Sequence, residues 1–162
     1  MEGMNRLRGA LDSILGTVTV FLFALMTVVG TYQIMTRYFF NRPSTVSEEL
    51  LTYSFTWMSL LAAAYVFGRR DHMRMSFLAD KITGSKKRGL EIGIEILIFL
   101  FAGIVMLYGG ISITRLTMSQ ITASLQIPMG YVYLVVPISG ALIMIYNILN
   151  ILDLLNRKEE DE

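Results

Sequence analysis

The sequence has 162 residues, 54% of them hydrophobic and 17% charged, against roughly 45–50% and roughly 25% in soluble globular chains. The net charge of +1 offers nothing for nucleic acid, and the lack of cysteine excludes disulfides, thiolate metal sites and thiol chemistry. The one histidine, His72, excludes a bis-histidine haem within the chain and an H-E-x-x-H zinc helix. Such a composition predicts an all-α integral membrane protein.

Residues 1–12 are polar and hold Arg6 and Arg8; Ser13–Thr36 then runs 24 residues without a charge. At 1.5 Å per residue such a helix is about 36 Å long, enough for a hydrocarbon core of about 30 Å. A signal peptide has a shorter apolar region and a small-residue cleavage site, so 13–36 is expected to be a retained first span. A polar hinge follows, Arg37-Tyr-Phe-Phe-Asn-Arg-Pro-Ser-Thr-Val-Ser-Glu-Glu-Leu50. The second span, 47–68, is expected to start at Ser47 as N-cap, with Glu48 and Glu49 at the positive end of the helix dipole. It stops at Gly68-Arg69-Arg70.

Residues 69–88 are the most basic stretch, with Arg69, Arg70, Arg74, Lys81, Lys86, Lys87 and Arg88. Met75, Leu78, Ala79 and Ile82 recur within it at helical spacing, which predicts a short amphipathic interfacial helix at about 74–83. Arg69, Arg70, Arg74, Lys86, Lys87 and Arg88 are the expected membrane-anchoring residues. The third span, 92–115, has at its start Gly89 and Gly93, a small-xxx-small pair at which another helix can approach closely. Residues 116–127 read as a short polar loop. The fourth span, 128–152, opens on Pro128, a favoured first helical residue. Pro137 is expected to kink it by removing a backbone hydrogen bond. Residues 153–162 form a solvated tail, and the whole chain is one membrane domain.

With four spans, both termini share a side with the 69–88 loop. That side holds eleven of the fourteen lysines and arginines: Arg6, Arg8, the seven of the loop, Arg157 and Lys158. The positive-inside rule places it in the cytoplasm. Tyr32, Tyr38, Phe39, Phe40, Tyr131 and Tyr133 cluster at the opposite surface and read as interfacial anchors.

Every charge lies at or near a predicted span end, so no mid-membrane ionisable group marks a translocation path, and no span is broken by a polar glycine-rich stretch of the kind that builds a midplane substrate site. No catalytic, cofactor or metal residues are expected, and the chain does not read as an enzyme. Glu49, Tyr53 and Trp57 share one face of the second span, and Glu91, Glu95 and Phe99 one face of the third. The acids either serve helix starts or pair with arginines of this chain or of a partner, Glu95 being the deeper of its pair. Arg37, Glu48, Glu49, Tyr53, Trp57 and Glu95 are the candidate subunit-interface residues. Eleven methionines suit adaptable packing.

Arg37-Tyr-Phe-Phe, Ser47-Glu-Glu-Leu, Phe55-x-Trp57, Leu61-Ala-Ala-Ala64, Arg69-Arg-Asp-His72-Met-Arg74, Ile127-Pro-Met-Gly-Tyr-Val-Tyr133 and Pro137-Ile-Ser-Gly140 occur in that order. This set resembles the small permease subunit of tripartite ATP-independent periplasmic (TRAP) transporters, over about residues 10–155. Two positions depart from the pattern: Ser76 stands where an aspartate is usual, and Ala62 where a glycine is.

The resemblance implies a division of labour. A large permease subunit holds the sodium and substrate sites and moves them in an elevator-like motion. A periplasmic substrate-binding protein delivers an organic acid, such as a dicarboxylate or sialic acid. The small subunit, in the bacterial inner membrane among lipids, packs against the large one and enlarges its fixed scaffold. Three readings compete: a self-sufficient small four-helix transporter or channel, a quinone-linked membrane enzyme, and the small subunit of a tripartite tricarboxylate transporter. The first lacks a mid-span acid, the second lacks cysteine and paired histidines, and the third does not carry the ordered motifs.

Overall fold

The computed structural model describes residues 2–68 and 85–156. They form helix α1 (Glu2–Tyr38), α2 (Thr45–Gly68), α3 (Ser85–Phe101), a π-helical segment (Ala102–Gly109), α4 (Gly110–Thr117), the single turn α5 (Gly130–Tyr133) and α6 (Val135–Asn156). Four stretches are long and apolar enough to cross a bilayer: Arg6–Tyr38, Thr45–Gly68, Ile92–Thr117 and Gly130–Leu152. The third is continuous through α3, the π segment and α4, since the backbone stays helical at both junctions (φ −61°, ψ −48° at Phe101; φ −62°, ψ −42° at Gly110). Among the described residues the β component is one isolated bridge, Ile121 to Pro128. The fold is therefore all-α with four spans. The expected interfacial helix at 74–83 lies outside the described residues.

Helix α1 begins at Glu2, well before the uncharged run. It ends where Asn41 takes a left-handed φ of 49°, a conformation that asparagine tolerates, and the Arg42 N–H turns back to the Thr36 carbonyl at 3.1 Å. Pro43 then separates the helices. The cap of α2 is Ser44, not Ser47: the Ser44 hydroxyl oxygen accepts the Ser47 N–H at 3.3 Å and the Ser47 hydroxyl at 3.0 Å. Ser44 immediately follows Pro43 and so lies just outside the helix, where a side chain is free to reach back to the open N–H groups of the first turn.

The fourth span departs twice from expectation. Pro128 does not start a helix. It bridges to Ile121, and its carbonyl accepts the Tyr131 N–H at 3.1 Å as the chain coils into α5. The helix is then interrupted at Leu134, one turn before Pro137. Pro137 has no N–H for the Tyr133 carbonyl, so the irregularity appears upstream of the proline, between α5 and α6. Main-chain bonds from Leu134 to Gly130 (3.0 Å) and from Ile138 to Leu134 (3.3 Å) carry the chain across it.

The fourth span is the centre of the bundle. Half of it is buried within the chain, against 6% of the first span and 11% of the third. Leu15, Leu61, Val135 and Tyr146 form one core, against which Trp57 packs; Ala64, Ala102 and Ile143 form a second. Small residues set the spacing, as they do wherever helices meet in lipid. A Cβ on Gly140 would lie 2.7 Å from Met106 Cβ and 3.1 Å from the Leu107 nitrogen of the π segment. Gly89 and Gly93, by contrast, have nothing within 4 Å of an added Cβ among the described residues, so the described part of the chain leaves their side of α3 uncovered.

Gly140→Ala is expected to lower the unfolding free energy in detergent by about 1–3 kcal/mol through overpacking against backbone. Gly93→Ala, with no neighbour to displace, is expected to be neutral or slightly stabilising because alanine is the better helix former. Circular-dichroism melts of the two variants check both.

Candidate functional site

The polar side chains that bond from one element to another gather at the two ends of the bundle. The far end carries the hinge after α1 and the loop after α4. There, Gln120–Met129 form a small hairpin. Thr122 N–H donates to the Ile127 carbonyl at 2.9 Å and Met129 N–H to the Gln120 carbonyl at 2.8 Å. Ile127 N–H donates to the Thr122 hydroxyl at 3.1 Å, and Gln126 makes the turn with φ of 54°. Neither strand is long enough to hold itself in place. Glu49, in α2, does so.

One Glu49 oxygen, Oε2, accepts the backbone N–H groups of Ser124 at 2.9 Å and Leu125 at 2.6 Å. The other, Oε1, accepts the Tyr53 hydroxyl at 2.7 Å, one turn further along α2. The Tyr53 oxygen also sits 3.6 Å from the Met129 sulfur. Within this chain the hydrogen-bond partners of Glu49 among the described residues are thus a phenol and two main-chain amides, not the open N–H groups of its own helix and not an arginine. Successive N–H groups in a turn make an anion-binding concavity, and a carboxylate from a neighbouring helix fills this one. Arg37 and Glu48, on either side of the hinge, are exposed.

The near end carries Arg8 and Asn150. Here one network joins all four spans. Tyr146 of α6, 1% exposed, donates its hydroxyl to Asp12 of α1 at 2.6 Å. Arg8, one turn earlier on α1, donates to the Gly68 carbonyl of α2 at 3.3 Å and to Asn150 Oδ1 of α6. Asn147 donates through Nδ2 to the Glu95 carbonyl of α3 at 3.0 Å and to Glu95 Oε2 at 2.6 Å. Gly68 is required for this packing: a Cβ there would lie 2.5 Å from the Tyr146 ring. A cleft opens beside the network, lined by Phe67, Glu95, Ile98, Ile143, Tyr146, Asn147 and Asn150.

The structure therefore pairs Glu49 with Tyr53 and sends Glu95 to the opposite end. It packs Trp57 against the core between them. Arg69, Arg70 and Arg74 lie outside the described residues; Lys86, Lys87 and Arg88 stand in the first turn of α3, with side chains not described. Among the described residues no group of three acidic, histidine or cysteine side chains is placed to hold a metal ion. Reading the sequence missed Arg8, Asp12, Tyr146, Asn147 and Asn150. The available signal was Tyr146-Asn147-x-x-Asn150, three polar groups on adjoining turns of an otherwise aliphatic span.

Residues 26–157 match the family of tripartite ATP-independent periplasmic transporters, DctQ component. The chain belongs to this family. It is an integral inner-membrane protein and a small permease component of a TRAP transporter. It is 32% identical over 106 residues to the sialic acid TRAP transporter small permease protein SiaQ of Vibrio cholerae, a match covering 65% of this chain and 61% of that relative. It is 23% identical over 140 residues to a putative TRAP transporter small permease protein of Haemophilus influenzae, covering 86% of each chain. The DctQ match contains Glu49, Tyr53, Glu95, Tyr146, Asn147 and Asn150; Arg8 and Asp12 precede it. In this DctQ component the far-end clamp thus lies wholly within the family match, whereas the near-end network draws two of its members from outside it.

Glu49→Gln keeps the size of the side chain but replaces one acceptor oxygen with an NH2 group and removes the charge. Hydrogen exchange at the Ser124 and Leu125 amides is expected to accelerate on the order of tenfold, as for a locally loosened segment. Amides at the centre of α6 are expected to keep their protection. Mass-spectrometric exchange in detergent reads both regions in one experiment.

Proposed function

We propose that this DctQ component is a non-catalytic subunit that packs against the large permease component and enlarges the fixed scaffold of a sodium-coupled elevator transporter. The observation that carries the proposal is the distribution of contacts. Polar side chains tie the four spans to one another at one end and hold a hairpin on the bundle at the other. The flanks of the first and third spans remain uncovered and apolar, with Val20, Phe21, Phe23, Val28, Leu97, Leu100, Ile104 and Tyr108 all exposed. A unit stiffened internally and apolar at its flanks suits a body that stays still in the bilayer while another slides beside it. Exposed Tyr32, Tyr38, Phe39, Phe40 and Tyr131 add interfacial anchoring that opposes vertical movement and tilt.

The cargo is an organic acid, sialic acid-like or a dicarboxylate, delivered by a periplasmic binding protein. The name of the Vibrio relative supports the first of these. Arg37, Glu48 and the hairpin held by Glu49 lie on the periplasmic side and steady the surface beneath that protein, and both termini are cytoplasmic. The lysine and arginine distribution supports this orientation.

Co-expression with the large permease component tests the subunit reading. The large component is expected to co-purify with the tagged chain. Glu49→Gln with Glu95→Gln is expected to reduce that yield and organic-acid uptake in proteoliposomes; unchanged assembly and uptake would remove both glutamates from the docking role. Orientation is read separately. The natural chain has no cysteine, so a Ser85→Cys variant reports from one position, and it is expected to react with an impermeant maleimide only after the cytoplasmic face is opened.

A further inference from the structure

Thr27, Thr31, Thr52 and Ser112 lie on exposed faces of the spans, and each donates its hydroxyl to the carbonyl four residues earlier. None of them brings an unpaired donor into lipid. Tyr108, 74% exposed on the third span, is different. Its hydroxyl stands at the end of a rigid ring, away from the backbone of its own helix, and has no hydrogen-bond partner among the described residues.

Its depth makes this costly. Tyr108 lies nine residues before Thr117, where the span ends, about 14 Å along the helix axis. Helical side chains lean toward the N-terminus, here away from that end. Against a hydrocarbon half-thickness of about 15 Å, the hydroxyl falls among acyl chains, which offer no acceptor. The other exposed tyrosines among the described residues, Tyr32, Tyr38 and Tyr131, lie within two turns of a span end, where a phenol reaches water. The acceptor for Tyr108 therefore comes from protein.

The surface around it fits a helix. Leu97, Leu100, Ile104, Tyr108 and Arg115 recur at spacings of three, four and seven residues, and all are exposed. They define one uncovered face over 18 residues, about 27 Å, close to the thickness of the hydrocarbon core. A second copy of this chain is a poor occupant. Two copies share one orientation in the bilayer, so a twofold axis between them runs along the membrane normal and sets each residue opposite its equivalent. Arg115, which has no counter-ion among the described residues, would then face Arg115, a repulsive contact. The first-span flank, with its threonine hydroxyls satisfied internally, suits lipid.

We propose that this face of the third span receives a transmembrane helix of the large permease component, and that Tyr108 donates its hydroxyl to an acceptor on that helix within the bilayer. The inference rests on the reading of this chain as a subunit packed against that component. It adds which of the two uncovered flanks docks, and the residue that fixes the depth of docking.

The test uses the co-expressed pair. Replacing Ile104, which points away from the bundle, with the photoreactive p-benzoylphenylalanine is expected to give a cross-link to the large component on illumination. The same group at Phe21, exposed on the first-span flank, is expected to stay unlinked to it. In the second arm, Tyr108→Phe removes the hydroxyl alone. It is expected to weaken binding of the large component in detergent about threefold, the scale of one interhelical hydrogen bond in a membrane, while the melting temperature of the isolated chain stays at the wild-type value.

A cross-link from Ile104 to a second copy, or none to protein, overturns the proposal. A large-component cross-link from Phe21 does so too, because it assigns docking to the first span. Unchanged affinity with Tyr108→Phe removes the hydrogen bond, and a lowered melting temperature of the isolated variant shows that the hydroxyl acts within this chain instead. If the wild-type chain retains no large component at all, the subunit reading itself fails; if it retains that component but Ile104 never links to it, only the docking face fails.

Discussion

Within a bilayer, apolar side chains gain nothing by leaving lipid tails for one another, so something other than hydrophobicity must specify how helices meet. In this chain that role falls to Tyr146, Asn147 and Asn150 of α6. Their partners are Asp12 and Arg8 of the first span and Glu95 of the third, and Arg8 in turn donates to the Gly68 carbonyl of the second. The two apolar cores are small by comparison and consist largely of residues that fit between these fixed points. Removing the polar contacts would leave four helices with little to decide their order. The close contact of Gly140 with the π segment and of Gly68 with the Tyr146 ring follows from the same requirement, because short polar bonds between helices demand short distances between backbones.

Satisfaction of the backbone governs the irregular places as well. Non-helical backbone is tolerated at membrane depth only where its N–H and C=O groups find partners. The interruption before Pro137 and the π segment lie on neighbouring spans that pack together, each bounded by intact helical hydrogen bonds. Ser139, fully buried in α6, donates its hydroxyl to the Val136 carbonyl at 2.9 Å, and Thr114 donates to the Gly110 carbonyl at 2.7 Å. Both thereby avoid presenting an unpaired hydroxyl to an apolar interior.

Much of the architecture was legible in the sequence because the bilayer imposes a length and an absence of charge that a single chain displays openly. The four spans follow from uncharged runs such as Ser13–Thr36 and Ile96–Thr114, and the ordered motifs pointed to the family. Local detail was less legible. Ser47 and Ser44 are both serines beside a helix start, and only the geometry after Pro43 decides between them. Glu49 was marked as important from its position, yet its partners were hidden. Backbone amides belong to every residue, so Ser124 and Leu125 carry no signature of the role. Arg8 and Asp12 read as an ordinary polar N-terminus because their partners lie more than 130 residues away on α6, a separation at which one sequence provides no pairing information.

The manner in which Glu49 grips the hairpin bears on how the far end can diversify. A carboxylate that binds main-chain N–H groups is indifferent to the side chains those residues carry. Ile121, Ala123 and Gln126 all face outward and are exposed, and replacing them leaves the Ser124 and Leu125 amides where they are, provided the turn keeps a residue that accepts the left-handed conformation of Gln126. The mount and the surface it displays are chemically separate. A membrane subunit built this way can retain one scaffold while its outer rim is rewritten to suit a different neighbour.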